Sequence, residues 1–246
     1  MTTTGSSRTP AEAPPRRARR KRAAAPRRGG RPSRAAAERL GETILEAATE
    51  LFLGNGYGVT SIEAIARRAR ISKRTFYSRF RDKAELFGAV VHRVVERLRP
   101  PDDARLFEGG ALEEILLRLA QAILQAALTA EALALHRLVV AEATRFPELA
   151  RLASERGGGR EAVRRIAALL DGEVAAGRLA LADTSFAAAQ FLQMVVATPQ
   201  RRALGLGPPM SAAELGHWAR ATVALFLDGC RGMRVAPVAR RGADER

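Results

Sequence analysis

The sequence is poor in the residues that build disulfide-linked or metal-held proteins. It has one cysteine, Cys230, and three histidines among 246 residues. A single thiol excludes an internal disulfide, and the scattered histidines lack the spacing of a zinc site. We therefore expect neither a metal ion nor another cofactor.

Long apolar runs and the common motifs of enzymes are also missing. No apolar run reaches the roughly 18 residues of a membrane span, and the basic N-terminus lacks the apolar stretch of a secretory signal. There is no nucleophile elbow, and the glycines at 157–159 lack the Lys and Ser or Thr of a phosphate loop, so they predict a linker. We expect a protein that is no enzyme, has no membrane partner and acts in the cytoplasm in association with the nucleoid.

What the sequence does have is helix-forming residues and positive charge. Hydrophobic residues make up 47% of the chain and aromatic residues only 5%. Alanine and leucine therefore supply most of the apolar surface, a balance that favours helices. The net charge is +15, and residues 1–34 hold eleven basic residues and one acidic residue. This segment is expected to be disordered, and the charge indicates a polyanionic partner, most simply nucleic acid.

A second basic run, at residues 67–83, lies inside a region of helical apolar periodicity. It holds eight basic residues and one acidic residue. A capping box of Thr60 and Glu63 predicts the start of a short helix, and a third helix is expected over 72–80. A longer helix follows at about 82–99. Two short helices joined by a tight turn form a helix-turn-helix, whose second helix enters the major groove of DNA.

Many residues of this region recur in order in a known family. They are Ile44, Leu51, Phe52, Gly56, Tyr57, Thr60, Ser61, Ile62, Ile65, Ala66, Ser72, Lys73, Arg74, Thr75, Phe76, Tyr77, Phe80, Lys83, Leu86 and Phe87. Over about residues 38–98 the chain closely resembles the N-terminal domain of TetR-family transcriptional regulators. The resemblance implies an all-helical, dimeric protein that binds an inverted-repeat operator on double-stranded DNA. Such proteins are usually repressors, and a small molecule typically releases them.

The resemblance also implies which side chains contact DNA. Thr60, Ser61, Tyr77 and Lys83 would bind phosphate, and the recognition helix that starts at Ser72 would present Lys73, Arg74 and Thr75 to the bases. Lysine and arginine pair with phosphate or guanine, and hydroxyl groups bind phosphate. These residues form the candidate DNA interface.

Two further features bear on DNA binding. Arg28 and Arg31 lie in a stretch similar to the Arg-Gly-Arg-Pro core of minor-groove arms, with one extra glycine. A DNA-binding arm, a plain solvated tail and a targeting signal remain alternatives for residues 1–33. Arg70 stands in the turn where family members usually have glycine, and a positive φ there would cost about 1 kcal/mol. Arg70 is either a tolerated turn residue or a phosphate contact.

The rest of the chain, about residues 99–230, predicts a helical ligand-binding and dimerisation domain. Proline and glycine mark its helix ends, including a stop at Pro199 and the end of the final helix at Gly229. The stretch His136–Leu149 resembles the C-terminal domain of the AefR-like branch of the family. Residues 231–246 are expected to be a disordered tail.

Two sets of side chains are candidates for the functions of this domain. The last two helices carry a set that is either ordinary core or a dimer interface: Phe186, Gln190, Phe191, Met194, Leu215, Trp218, Thr222, Val223 and Phe226. A mostly apolar ligand pocket is expected among the helices of residues 111–198, with His136, Arg145, Gln190, Gln193 and Met194 as polar or soft lining residues. For Cys230, near a helix end, the alternatives are a bystander thiol and a redox sensor.

The sequence therefore predicts a sequence-specific transcriptional regulator that acts as a homodimer with a small-molecule effector. Its parts would be an arm (1–33), a DNA-binding domain (34–98, with the helix-turn-helix at about 61–80) and a C-terminal helical domain (99–230). The alternative is a non-specific architectural DNA-binding protein dominated by its basic tail. Such a protein would show steep salt dependence and no preferred site.

Overall fold

A computed structural model describes residues 1–2, 34–99 and 103–232 of the chain. Within these residues the structure is helical, as expected, and has no strand. The helices are α1 (Arg34–Asn55), α2 (Ile62–Arg68), α3 (Lys73–Tyr77), α4 (Lys83–Leu98), α5 (Leu112–Ala127), α6 (Ala130–Glu142), α7 (Pro147–Arg156), α8 (Gly158–Ala175), α9 (Thr184–Ala203) and α10 (Ala212–Gly232). A short 3₁₀ turn, Asp103–Phe107, precedes α5. Most of the predicted arm and tail lies outside the described residues.

Helices α1 to α4 pack around a shared apolar core. Ile44 and Phe52 of α1, Ile65 of α2 and Phe76 of α3 have no exposed surface. In α1 the apolar residues recur every three or four positions, which places them on one face of the helix. From α4, the ring of Phe87 lies edge-on to Phe52, with centroids 5.9 Å apart. The three N-terminal helices are thereby fixed onto α4.

Side-chain caps fix where the short helices begin. Ser61 Oγ accepts from the Ala64 N–H (3.1 Å), Ser72 Oγ from the Thr75 N–H (3.0 Å) and Asp82 Oδ1 from the Glu85 N–H (2.7 Å). The prediction that Thr60 caps α2 is wrong by one residue, because Ser61 is the N-cap. Helix α3 ends at Tyr77, earlier than expected, where the Ser78 hydroxyl donates to the Thr75 carbonyl (2.7 Å).

The turn between α2 and α3 has left-handed backbone at Arg70, with φ of 57°. No other non-glycine residue in the described ranges has a positive φ. The Arg70 N–H donates to the Arg67 carbonyl (3.1 Å) and the Ile71 N–H to the Ala66 carbonyl (2.9 Å). This is the hydrogen-bond pattern of a Schellman motif, and Arg70 stands at the left-handed position of the motif, which is usually glycine. The expectation of a positive φ in this turn is confirmed.

Helices α6 and α7 complete the N-terminal core. Leu135 and Leu138 of α6, together with Leu149 and Leu152 of α7, belong to the same buried cluster as the α1–α4 residues. Helix α7 also approaches α4 closely, since a Cβ added at Gly88 would lie 3.0 Å from the Arg156 guanidinium. One core therefore spans both sides of the predicted boundary near residue 98, and the boundary itself stays a prediction.

A second core holds the C-terminal helices together. It is built from buried residues of α5, α8, α9 and α10, among them Leu116, Ile166 and Phe191. The rings of Phe191 and Phe226 are 5.0 Å apart. The glycine run at 157–159 is not the linker expected, because two of its residues begin α8 and only Gly157 lies between helices.

Helix α9 continues through Pro199, where the sequence predicted its end. Proline has no N–H, so the carbonyl of Val195, four residues earlier, loses its helical partner. The indole N–H of Trp218 on α10 donates to this carbonyl at 3.0 Å. The helix can therefore continue to Ala203. The prediction failed because the compensating donor lies on another helix.

No single helix among the described residues is long and apolar enough to cross a membrane, although the pair α5 and α6, bent by 70°, passes the same test together. Within the same residues, no group of three or more His, Cys, Asp or Glu side chains lies together in a way that could hold a metal ion.

Candidate DNA interface and ligand cavity

The first turn of α3 presents a polar, exposed surface. Ser72 caps the helix, and its hydroxyl lies 2.8 Å from the Thr75 hydroxyl. Arg74 is exposed and forms no ion pair with the part of the chain that the structure describes. Tyr77 is 55% exposed, whereas its neighbour Phe76 is fully buried. The expectation that Phe76 faces the core and Tyr77 faces outward is confirmed.

Lys73 is also exposed, but its ammonium is paired. It forms an ion pair with Glu63 of α2, and the two side chains are 57% and 54% exposed. The Lys73 hydrogen bond lowers the pKa of Glu63, and the same contact raises the pKa of Lys73. The sequence did not indicate this pair, because Glu63 was interpreted as part of a helix cap.

Two of the residues predicted to bind phosphate point inward instead. Thr60 is 3% exposed, and its hydroxyl donates to the carbonyls of Gly56 (2.7 Å) and Leu51 (3.2 Å). The Lys83 ammonium donates to the carbonyls of Tyr57 (2.9 Å) and Thr60 (3.0 Å). The buried Thr60 hydroxyl is therefore not available to a phosphate, whereas the phosphate contact of Lys83, whose ammonium has a third donor, stays a prediction. Both hold the loop between α1 and α2 in place.

The same loop is fixed from the other side by α6 and the residue before α7. The Gly58 N–H donates to Glu142 Oε1 at 2.9 Å, across 84 residues of sequence. The rings of Tyr57 and Phe146 meet edge-on, with centroids 5.1 Å apart. Burial raises the pKa of Tyr57 to about 12.

The other predicted DNA contacts divide into two groups. Ser61 is exposed at the N-terminus of α2, where its hydroxyl is open to a phosphate. Arg28 and Arg31 lie outside the described residues. The DNA-contact roles of Ser61, Ser72, Lys73, Arg74, Thr75 and Tyr77 stay predictions, and all six side chains are at least partly exposed.

A cavity of about 510 Å³ lies between the two cores. Its walls are formed mainly by aliphatic side chains of α4, α5, α6, α8 and α9 and of the 3₁₀ turn. Helix α4 contributes Val91, Val94, Val95 and Leu98, and its C-cap residue Arg99 also lines the cavity. The volume is within the range of sites that bind small organic molecules, about 300–1,000 Å³.

Polar groups are few in this wall. His136, Gln193 and Gln200 line the cavity, together with Glu161, Arg99 and Arg165. The Arg165 guanidinium lies over the ring of Phe107, 4.1 Å from its centroid. Arg99 is paired with Glu96 at 3.0 Å. An apolar body with a few polar groups is therefore the chemistry that fits the cavity.

The predicted lining residues are only partly correct. His136 and Gln193 lie in the cavity wall. Arg145 is exposed and lies over the Phe146 ring instead, 5.2 Å from its centroid. Gln190 is exposed on α9, and Met194 packs against the C-terminal core. The assignments of Arg145, Gln190 and Met194 to the pocket are wrong.

The predicted dimer residues also separate into two sets. Phe191, Thr222, Val223 and Phe226 are buried within this chain, at 6% exposure or less, and cannot contact a partner in this structure. The prediction that these four residues form the interface is wrong. An apolar stripe in the sequence does not show whether the chain itself or a partner subunit buries it. Partly or fully exposed are Phe186, Gln190, Met194, Leu215 and Trp218. Leu225, which the sequence analysis did not select, is 66% exposed on α10.

Two family models match the chain, each over one of these regions. The model for bacterial regulatory proteins of the tetR family matches residues 44–90. The model for the C-terminal domain of AefR-like transcriptional repressors matches residues 114–229. The second match agrees with the resemblance found at His136–Leu149.

Solved structures and curated relatives agree with these matches. A TetR-family transcriptional regulator from Mesorhizobium loti is 32% identical, with a TM-score of 0.66 over 78% of this chain and 96% of that one. The flavonoid-responsive regulator FrrA is also 32% identical, with a TM-score of 0.66 over 80% of this chain and all of that one.

The regulator UidR of Escherichia coli is 32% identical over 111 residues, which are 44% of this chain and 53% of UidR. The chain thus matches about half or less of the length of its curated relatives. Members of the matched family are transcriptional regulators and not enzymes. The chain belongs to the TetR family of helix-turn-helix transcriptional regulators.

Proposed function

We propose that this protein represses transcription by binding an inverted-repeat operator as a homodimer, and that a small, mostly apolar molecule releases it. The observation that carries the proposal is the course of α4. This helix begins at Lys83, directly after the helix-turn-helix, and its second half forms a wall of the cavity. A ligand that prefers a different position of α4 would shift the population away from the DNA-binding arrangement.

The dimer is proposed to form through the outer face of α9 and α10. Phe186 and Leu225 are 55% and 66% exposed, and exposed apolar residues of this size on adjacent helices favour a partner. Two copies would join these helices into a four-helix interface and set the two α3 helices roughly 34–36 Å apart, one turn of DNA. Leu225→Glu is expected to give monomers in size-exclusion chromatography and to weaken operator binding.

The ligand is proposed to be an apolar, drug-sized compound. The related FrrA is a flavonoid-responsive regulator, so a panel of flavones and flavanones is the first set of probes. Ala126 lies in the cavity wall on α5, and Ala126→Phe would fill part of the space. We expect this variant to bind operator as the wild type does, and to lose the release caused by any flavonoid that acts on the wild type.

The decisive experiment on DNA is selection from a genome. Purified protein is mixed with sheared genomic DNA at about 150 mM salt, where non-specific binding is weakened, and the retained fragments are sequenced. Recovery of a few promoters that share an inverted repeat supports the proposal. Uniform recovery that disappears as salt rises would favour the architectural alternative.

The reading surface is tested with two variants of α3. Arg74→Ala and Tyr77→Ala remove exposed side chains, of which the Tyr77 ring lies nearly perpendicular to the Phe76 ring with centroids 5.4 Å apart. We expect both variants to fold and dimerise and to lose operator binding. Full operator affinity in both would refute the assignment of α3. Because such a regulator acts on the chromosome, the cytoplasm is its proposed location.

A further inference from the structure

The surface that carries the recognition helix also carries a carboxylate. Glu63 is the second residue of α2 and Lys73 the first of α3, and their ion pair bridges the two helices of the helix-turn-helix. Both side chains are more than half exposed. The Lys73 contact lowers the pKa of Glu63, so this carboxylate is negatively charged at neutral pH.

The two adjacent cations of α3, Lys73 and Arg74, differ in their ion pairing. The Arg74 side chain is exposed and unpaired within the described ranges, whereas the neighbouring Lys73 ammonium is already held by a carboxylate. A paired ammonium releases fewer counterions when it approaches phosphate, and a carboxylate at the same place repels phosphate.

We propose that Glu63 is a specificity-determining residue, which acts by withholding Lys73 from the DNA backbone. Backbone attraction is independent of sequence and supplies essentially all non-specific binding, whereas base contacts discriminate between sites. On the operator, base contacts fix the register of the recognition helix, whereas on random DNA the helix can shift until a free cation meets a phosphate. Holding Lys73 therefore weakens binding to random DNA more than binding to the operator. The assignment rests on the proposed function and replaces the sequence-based role of Lys73 as a base contact.

The chain offers a matched control for this charge. Glu50 of α1 pairs with Arg68 of α2, and these side chains are 56% and 58% exposed, nearly the same as in the Glu63 pair. Glu63→Gln and Glu50→Gln each raise the net charge by one and free one cation. Only the first frees a cation on the recognition helix. Glutamine keeps the length of the side chain and one oxygen acceptor at both positions, so both variants are expected to fold, which far-UV circular dichroism and urea midpoints check.

The experiment measures binding by fluorescence anisotropy to the selected operator and to a scrambled duplex, from 50 to 200 mM KCl. One added phosphate contact per subunit is two contacts per dimer, so the affinity of the dimer falls about 12-fold more over this fourfold range of salt. We expect this extra salt dependence, and a lower ratio of operator to scrambled affinity, for Glu63→Gln and not for Glu50→Gln. We also expect Lys73→Ala to weaken scrambled binding more in the Glu63→Gln background than in the wild type.

Equal effects of Glu63→Gln and Glu50→Gln would overturn the proposal, since they would show a response to net charge alone. Equal losses from Lys73→Ala in the two backgrounds would overturn it as well. A wild type that binds operator and scrambled duplex alike would refute the proposed function. An operator preference that Glu63→Gln leaves unchanged would refute only the role of Glu63.

Discussion

Replacing Lys83 with methionine separates a structural role of this residue from a DNA contact. Its ammonium donates to the Tyr57 and Thr60 carbonyls and lies 4.2 Å from the centroid of the Tyr57 ring. Hydrogen bonds from a charged donor contribute about 1.5–3 kcal/mol each and a cation–π contact about 0.5–2 kcal/mol. Methionine keeps an unbranched apolar stem out to the Cε position, with sulfur in place of Cδ, and lacks the charged donor.

Part of this stabilisation is offset in the native protein. Burial lowers the pKa of Lys83, which is the sign of an ammonium that is incompletely solvated. The Tyr57 carbonyl also keeps its bond from the Thr60 N–H (3.3 Å) when the ammonium is removed. We therefore expect Lys83→Met to lower the free energy of unfolding by about 2 kcal/mol, less than the sum of its contacts.

Urea denaturation followed by circular dichroism measures this change, with Lys73→Met as the matched control. Lys73 is exposed and paired only at the surface, so its replacement should leave the urea midpoint nearly unchanged. The reasoning would be refuted if Lys83→Met unfolded at the wild-type urea concentration and instead bound DNA with a weaker salt dependence. That result would support the phosphate contact that the sequence predicts for Lys83.

Four further predictions follow from single features. Arg70→Gly should raise the free energy of unfolding by about 1 kcal/mol, measured in urea, because glycine adopts the positive φ of this turn without strain. The folded-state pKa of Tyr57 is raised to about 12, so its stabilisation is complete below about pH 10 and lost as pH rises; Tyr57→Phe should flatten that alkaline loss in thermal melts. Cys230 is buried and burial raises its thiol pKa, so a chromogenic disulfide reagent should label it only after unfolding; rapid labelling of native protein would favour a redox sensor. Deleting residues 1–32 should weaken operator binding and its salt dependence, and an unchanged affinity would refute the arm.

Local features of the fold could be predicted from the sequence. The caps at Ser72 and Asp82 and the positive φ at Arg70 depend on residues a few positions apart, and their chemistry is visible in the chain. The outward Tyr77 beside the inward Phe76 follows from helical periodicity in the same way. Such features can be predicted without knowing which other helices pack against the segment.

Features that depend on distant partners were missed. The position of Lys83 in a basic run indicates a phosphate contact. Only the structure shows that its ammonium donates to two carbonyls of the α1–α2 loop. Glu142 reaches Gly58 across 84 residues, and no local pattern indicates that contact. Phe191 and Val223 form apolar stripes that suit a core and an interface equally well, and only the packing shows that this chain covers them itself.

The bond from Trp218 to the Val195 carbonyl gives the protein an optical probe of its own cavity. The chain has one tryptophan, so its tryptophan fluorescence comes from a single indole. The indole N–H is held by a turn of α9 whose neighbouring residues, Leu192 and Val196, line the cavity. An effector that displaces this turn would lengthen or break the bond and change the emission. Titration of unlabelled protein at an excitation near 295 nm could therefore report effector binding without DNA.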